Sequence, residues 1–452
     1  MSFPDDFIWG AATSSYQIEG AASEDGKGTS IWDVFCKAPG KIRDGSTGDT
    51  AIDHYHRYRQ DITLMHDFHI RAYRFSVAWP RIFPDGTGRI NQKGLDFYDK
   101  LVDTLLEHKI EPWLTLFHWD YPYALFCRGG WLNPSSPAWF ADFAALLSRR
   151  LSDRVQHWMT LNEPQVFIYL GHGIGLHAPG LKHPMPDLLR MTHHALLAHG
   201  KAVQALRANA RQPLRIGIAP ASVIRFPVSD TPADVQAARE ATFRVDEDNL
   251  WNNAWYLDPI ILGKYPENGM QLFRQWMPAI TPDDMATIAQ PLDFLGVNIY
   301  HGECGHASAN GEFEPIPAAH GAPRTTMNWQ VTPEAMHWGT RFFYERYHLP
   351  IIITENGMAN TDWVHTDGKV HDAPRIDFLK RYLVSLRRAI AAGTEVLGYF
   401  TWSMFDNFEW EKGYSQRFGL VHIDYETFER TPKDSAFWYR QVIDTNGDNL
   451  ET

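Results

Sequence analysis

Eight extended, mostly apolar runs, each followed by a stretch of helical periodicity, leave this chain few folds to adopt. The runs lie at 7–13, 72–79, 112–118, 155–161, 214–219, 293–300, 351–354 and 396–402. The seventh shows the type. Ile351, Ile352, Ile353 and Thr354 are all β-branched, which favours an extended backbone. They are apolar without alternation, as in a parallel strand covered on both faces. The helical patterns lie at 51–68, 94–108, 138–151, 187–209, 232–255, 333–347, 376–392 and 432–443. Stripes such as Ile52, Tyr55, Tyr58, Ile62 and Met65 give them one apolar side. No linker, composition break or internal repeat interrupts the alternation. It predicts one α/β domain over 1–452, a (β/α)8 TIM barrel with long βα loops at its mouth.

Composition narrows the partners. A net charge of −12 argues against a nucleic acid or an anionic membrane. The N-terminus has neither a basic region nor an apolar core of the kind a signal peptide needs, and no apolar run approaches membrane-span length. Three cysteines, Cys36, Cys127 and Cys304, are odd in number and lack metal-ligand spacing. They read as reduced thiols in a cytoplasmic protein. Aromatics make up 13% of the chain, with 17 Trp. Most of these belong to the core, so the mild preference they give for a sugar ligand needs other support.

That support comes from the strand ends. In such barrels the active site lies at the C-terminal ends of the strands. The seventh run ends in Glu355, Asn356 and Gly357, a carboxylate at the mouth of a buried strand that something must answer. The fourth ends in Asn162 and Glu163. The other ends supply Gln17 and Glu19, Arg74, His118 with Trp119 and Asp120, Asn298 with Tyr300, and Trp402, followed by the run DNFEW at 406–410. Any one of these alone reads more readily as a cap or an ion-pair partner. Together they put carboxylates, amides, an arginine and indoles on one face, the parts needed for glycoside hydrolysis. Strands four and seven lie across the barrel, so Glu163 and Glu355 can face each other over a substrate. A carboxyl separation of about 5–5.5 Å would give retention through a covalent glycosyl-enzyme.

The motifs FIWGAATSSYQIE at 7–19, HWD at 118–120, RGGW at 128–131, TLNEP at 160–164, HAPG at 177–180, TENG at 354–357 and DNFEW at 406–410 occur in order along nearly the whole chain. In this the chain resembles the β-glucosidases of glycoside hydrolase family 1, in their neutral-sugar branch. The resemblance implies a retaining exo-β-glycosidase acting on terminal β-D-glucosyl residues, with galactosyl and fucosyl residues also open. It implies short β-linked oligosaccharides as substrates and a place in cellulose degradation. It makes Glu163 the acid/base and Glu355 the nucleophile, with Arg74 and Tyr300 keeping Glu355 ionised and aimed. Asn162 becomes the donor to the sugar 2-hydroxyl. Gln17, His118, Asn298, Glu409 and Trp410 become the hydroxyl-reading set, Trp402 the stacking floor and Trp119 a neighbour in the same pocket. Trp329 stacks on the leaving group or simply packs its loop. No cofactor or metal is implied. Tyr121, Tyr123 and Cys127 depart from the family's usual residues beside HWD and RGGW and bear on the rim.

Two alternatives stay in view. A 6-phospho-β-glucosidase is expected to carry a small hydroxyl residue at position 409 and a lysine nearby. Lys412 is close, but the Glu409 carboxylate would repel a phosphate. A non-catalytic sugar-binding barrel would lack one of the two carboxylates. The spacing of His54 and His56 matches barrel metallohydrolases, but both fall in a helical pattern, as do His193 and His194. The long polar stretch 302–330 follows the sixth strand and reads as a lid over the mouth.

Overall fold

The computed structural model describes residues 2–451. Its main sheet has eight parallel strands, β1 (Ile8–Ala12), β2 (Ala72–Ser76), β3 (Glu111–Phe117), β4 (His157–Asn162), β5 (Arg215–Ala219), β6 (Leu295–Asn298), β7 (Ile351–Asn356) and β8 (Val396–Trp402). Neighbours run β5-β4-β3-β2-β1-β8-β7-β6. The circle closes between β5 and β6. The amide of Asp293 donates to Ile216 O at 2.9 Å, that of Asn298 to Pro220 O at 3.2 Å, and Ala221 bridges Asn298 in parallel register. The eight-stranded α/β barrel expected from the alternation is present.

Two apolar layers hold it. The larger lies between strands and helices and includes Phe75, Leu114, Leu161, Ile218, Val297 and Ile353. The smaller fills the barrel interior with Ala12, Ala72, Trp113, Met159, Ala219, Phe294, Ile352, Phe400 and Trp402. Small side chains on some strands leave room for large rings from others. At Gly10 a Cβ would lie 2.4 Å from the Phe400 ring, so only glycine lets that ring enter the axis. Trp113 stacks on His157 at 3.9 Å and meets Phe294 and Phe400 at 5.5 and 5.2 Å. These rings plug the barrel below its mouth.

The register is irregular near the mouth. Pairing shifts between Met159 and Asn162 on β4 and between Ile353 and Glu355 on β7. Such bulges turn a side chain away from the strict in-out alternation, and here they occur at the two strand ends that carry carboxylates. Glu163 itself has φ +45, and its amide donates to Ala219 O at 2.7 Å.

Two expectations are corrected, and one element was not foreseen. The helical pattern at 232–255 is broken, with one helix over Pro232–Phe243 and a separate short one, Ala254–Leu257, beginning at its end. Asn253 Nδ2 binds the carbonyls of Thr242 and Val223 at 2.8 and 2.7 Å, and this side-chain competition for backbone groups stops the helix. The stretch 302–330 is not a plain loop. Glu303–Ala307 pairs antiparallel with Phe313–Pro315 and parallel with Arg225–Pro227 in a small separate sheet. After β4 the chain makes a wide π-helical turn, Val166–Gly173, that periodicity does not reveal.

The histidine pairs are structural. His54 begins the helix His54–Asp67 and holds Asp61 at 2.7 Å, while exposed His56 binds Asp53 and Glu24. His193 and His194 lie in Met185–Asn209 and bond to Tyr265 and Trp131.

Candidate active site

The strand ends converge on one hydrogen-bonded group. Arg74, wholly buried on β2, donates through Nη1 to Glu355 Oε1 at 2.6 Å and through Nη2 to Asn162 Oδ1 at 2.6 Å. Tyr300 donates its hydroxyl to the other oxygen of Glu355 at 2.8 Å. Asn298 donates to Asn162 Oδ1 at 3.1 Å and to Glu163 Oε1 at 2.9 Å. Thr354 in turn donates to Asn298 Oδ1 at 2.6 Å and fixes which way that amide faces.

Asn162 is oriented completely. Its oxygen takes two donors, so its nitrogen must be the donor to His118 Nε2 at 3.1 Å. The His118 proton is therefore on Nδ1, a buried atom with no protein partner. Burial and then the charge of Arg74 push His118 well below the usual imidazole range, which keeps it neutral with that N–H to offer.

The two acids are in different surroundings. Both are buried, 8% exposed at Glu163 and 4% at Glu355. Burial first, and then the charge of Glu355, raise Glu163 to about 8, against a smaller pull from Asn298 and Arg74. Burial raises Glu355 too, but Arg74, Tyr300 and Asn298 all act to hold its charge. A carboxylate with an arginine on one oxygen and a phenol on the other keeps the single negative charge that the pair can bear. Tyr300 remains a donor because burial and that same charge lift its own ionisation far up.

A polar end and an aromatic wall complete the mouth. Gln17 accepts from Ser14 at 2.6 Å and donates to Asn407 at 3.0 Å and Phe408 O at 2.9 Å, with Glu409 Oε2 at 3.4 Å. Glu409 is buried and raised well above the carboxylate range, by burial first and then by Glu411, Glu355 and Glu163. His118 stacks between Trp402 at 5.8 Å and Trp410 at 5.9 Å. Trp119 donates to Asn162 O at 2.9 Å and packs on Trp410 at 4.4 Å. Trp119 and Trp410 have φ +78 and +47, a left-handed backbone uncommon for large side chains and frequent at functional sites. Trp329 lies apart from this wall, against Tyr300 at 5.1 Å and His301 at 5.6 Å. Two strand-end acids named from the sequence are engaged elsewhere, Glu19 by Arg81 and Tyr98 and Asp120 by Ser15.

Sequence reasoning passed over several contributors. Asn407 stands inside the DNFEW run yet was given no task, although it anchors Gln17. His177 stands inside HAPG and proves to bind Glu411 at 2.7 Å. Tyr16 and Trp32 back Trp410 at 6.2 and 4.6 Å, and no spacing pointed to them. Among the described residues no group of three or more His, Cys, Asp or Glu could hold a metal ion.

Comparison with known proteins agrees with this geometry. The model of the family described as glycosyl hydrolase family 1 matches residues 1–448. The chain belongs to glycosyl hydrolase family 1. Among its family 1 relatives, Beta-glucosidase A of Thermotoga maritima is 43% identical over 98% of both chains. Beta-glucosidase A of Acetivibrio thermocellus is 44% identical over 99% of both. An aryl-phospho-beta-D-glucosidase of Bacillus subtilis is also related, at 39% identity over 99% of this chain and 98% of its own. The solved Thermotoga maritima beta-glucosidase in complex with glucoimidazole superposes with a TM-score of 0.90 at 43% identity, covering 99% of each chain.

Proposed function

We propose that residues 1–452 form one catalytic domain, a retaining exo-β-glucosidase that releases terminal β-D-glucosyl units from β-glucosides and short β-linked oligosaccharides. One observation carries the reading. Two buried carboxyls lie close enough to feel each other's charge: Glu163, bonded to Asn298, is held protonated, while Arg74 and Tyr300 each bond one oxygen of Glu355 and act to hold its charge. A carboxylate gripped and aimed through both oxygens suits direct attack on the anomeric carbon.

In the first step Glu355 attacks the anomeric carbon while protonated Glu163 gives its proton to the departing oxygen. The C1–O bond to the aglycone breaks and a C1–O bond to Glu355 forms. Glu355 is then an ester and has lost its charge, so Glu163 settles as a carboxylate able to take a proton from water. Water attacks C1, the ester bond breaks, and sugar leaves with its original configuration. Arg74 and Tyr300 hold Glu355 ionised and aimed beforehand. Asn162 and the Nδ1–H of His118 read sugar hydroxyls, as do Gln17, Asn298, Glu409 and Trp410. Trp402 forms the stacking floor, Trp119 lines the pocket, and Trp329 faces the leaving group. No step calls for a cofactor.

The phospho-sugar alternative is disfavoured at Glu409, a buried acid where a phosphate would have to sit. Lys412 offers such a group little, because its ammonium is 3.1 Å from Glu411. A non-catalytic barrel would not need the split between the two acids. No helix among the described residues is long and apolar enough to cross a membrane. Three unpaired cysteines suit the cytoplasm.

The test is release of nitrophenol from an aryl β-glucoside in the presence of chelator, with proton NMR on the first sugar formed. The β-anomer should appear first. An initial α-anomer, or a requirement for added metal, would refute the mechanism.

A further inference from the structure

Two mouth loops are joined by one buried contact. His177 lies in the loop after β4, and Glu411 lies in the short turn Trp410–Lys412 after β8. His177 Nε2 and Glu411 Oε2 are 2.7 Å apart, with the side chains only 10% and 13% exposed. A buried contact between ionisable groups adds little net stability over an apolar pair, so its position asks for another reason.

The surroundings give one. The His177 ring lies against Trp32 at 5.4 Å and Trp119 at 5.5 Å. Both indoles pack on Trp410, at 4.6 and 4.4 Å. Glu411 is tied from other sides as well, its second oxygen to Lys412 Nζ at 3.1 Å and its carbonyl to the Arg43 amide at 2.8 Å. The turn being held has Trp410 in left-handed backbone. Gly413 closes it with φ +60 and accepts the Glu409 amide at 2.8 Å. Such a turn persists only where its surroundings over-determine it.

We propose that His177 and Glu411 form a clasp that positions Glu409 and Trp410 for sugar recognition. Both are positioning residues, since neither belongs to the reacting group. The inference rests on the glucosidase reading above. The electrostatics agree. Burial opposes ionisation of Glu411, yet its bonds to His177 and Lys412 bring its carboxyl down to about 2, so it is charged at all working pH. After burial, that charge is the largest influence raising the neighbouring Glu409 carboxyl. Glu411 therefore holds Glu409 in place and also favours its protonated form, which can donate as well as accept.

The test uses His177→Gln, Glu411→Gln and the double variant, each checked for an unchanged thermal midpoint. The probe is deoxynojirimycin, an iminosugar the shape of glucose, with an aryl β-glucoside as substrate. Each single variant should raise Ki and KM about tenfold, the scale of one lost hydrogen bond to a charged group, with kcat within about twofold. The double should be no worse than the weaker single, because the two act as one contact. Arg89→Met, at an exposed ion pair with Asp85, should leave Ki unchanged. The clasp is overturned by unchanged Ki in the singles, by losses that multiply in the double, or by Arg89→Met reproducing the loss. A wild-type protein inert toward the aryl β-glucoside would defeat the enzymatic reading instead.

Discussion

On the proposed mechanism, replacing Glu355 with Ala removes the atom that bonds to the sugar while leaving the proton donor in place. Turnover of an aryl β-glucoside should fall roughly a thousandfold or more. Azide should then restore it, giving an inverted glycosyl azide identifiable by its anomeric coupling, because a small anion enters from the vacated side. Glu163 makes a different prediction, through pH. Its proton must be present for the first step, so kcat/KM should decline as pH rises through about 8. Glu163→Gln should lose that alkaline limb. The same residue sets a stability trend. Its folded-state pKa lies above the unfolded value, so the stability it contributes is full below the normal carboxylate range and is lost as pH climbs through about 8. Glu163→Gln stays neutral throughout and should gain in melting temperature over wild type between pH 5 and 8.5. An equal shift at both ends would contradict the assignment.

Among the elements, the chain leaving β7 runs tightly against the end of β8 at the mouth. A Cβ on Gly357 would sit 1.7 Å from Trp402 O, a backbone atom that cannot swing aside. Gly357→Ala should destabilise the protein by about 2 kcal/mol or more, read from urea unfolding, and lower kcat/KM by displacing Trp402. The strands were legible because each carries its own evidence, as the four β-branched residues of β7 do. The site was legible for a related reason, since strand ends point one way in a parallel barrel and their polar residues can be read off in order. What stayed hidden lay between elements. The end of Pro232–Phe243 is decided by Asn253, ten residues beyond it, and the small sheet of Glu303–Ala307 needs Arg225–Pro227 as its partner. Periodicity within a window cannot register either. The backing of Trp410 by Tyr16 and Trp32 escaped for the same cause, two indistinct aromatics among many.

For the whole molecule, the C-terminal segment is tied to the mouth by charge. Lys433 is completely buried and bonds Asp362 at 2.6 Å and Asp406 at 2.7 Å, while Arg417 binds Asp406 at 2.7 Å and Arg375 binds Asp362. Burial depresses the Lys433 ammonium, with the charge of Arg375 adding to it and the two aspartates opposing. Lys433→Met would leave two aspartates with one fewer cation in the interior. A loss of about 3–5 kcal/mol is expected in urea unfolding, against well under 1 kcal/mol for removing an exposed partner such as Arg89. Nothing in the sequence spacing links positions 362, 406 and 433, so this network became visible only with the fold.

Asn162 has an evolutionary consequence. Its amide touches the His118 imidazole, proposed above to read a sugar hydroxyl, and its oxygen holds the Arg74 guanidinium that bonds Glu355, the proposed nucleophile. On that proposal, a mutation that retunes sugar choice at His118 is transmitted to the reaction centre. Changes in diet for such an enzyme should accumulate instead around Gln17 and Glu409, whose hydrogen bonds run to Ser14, Asn407 and Gly413 and never reach Arg74.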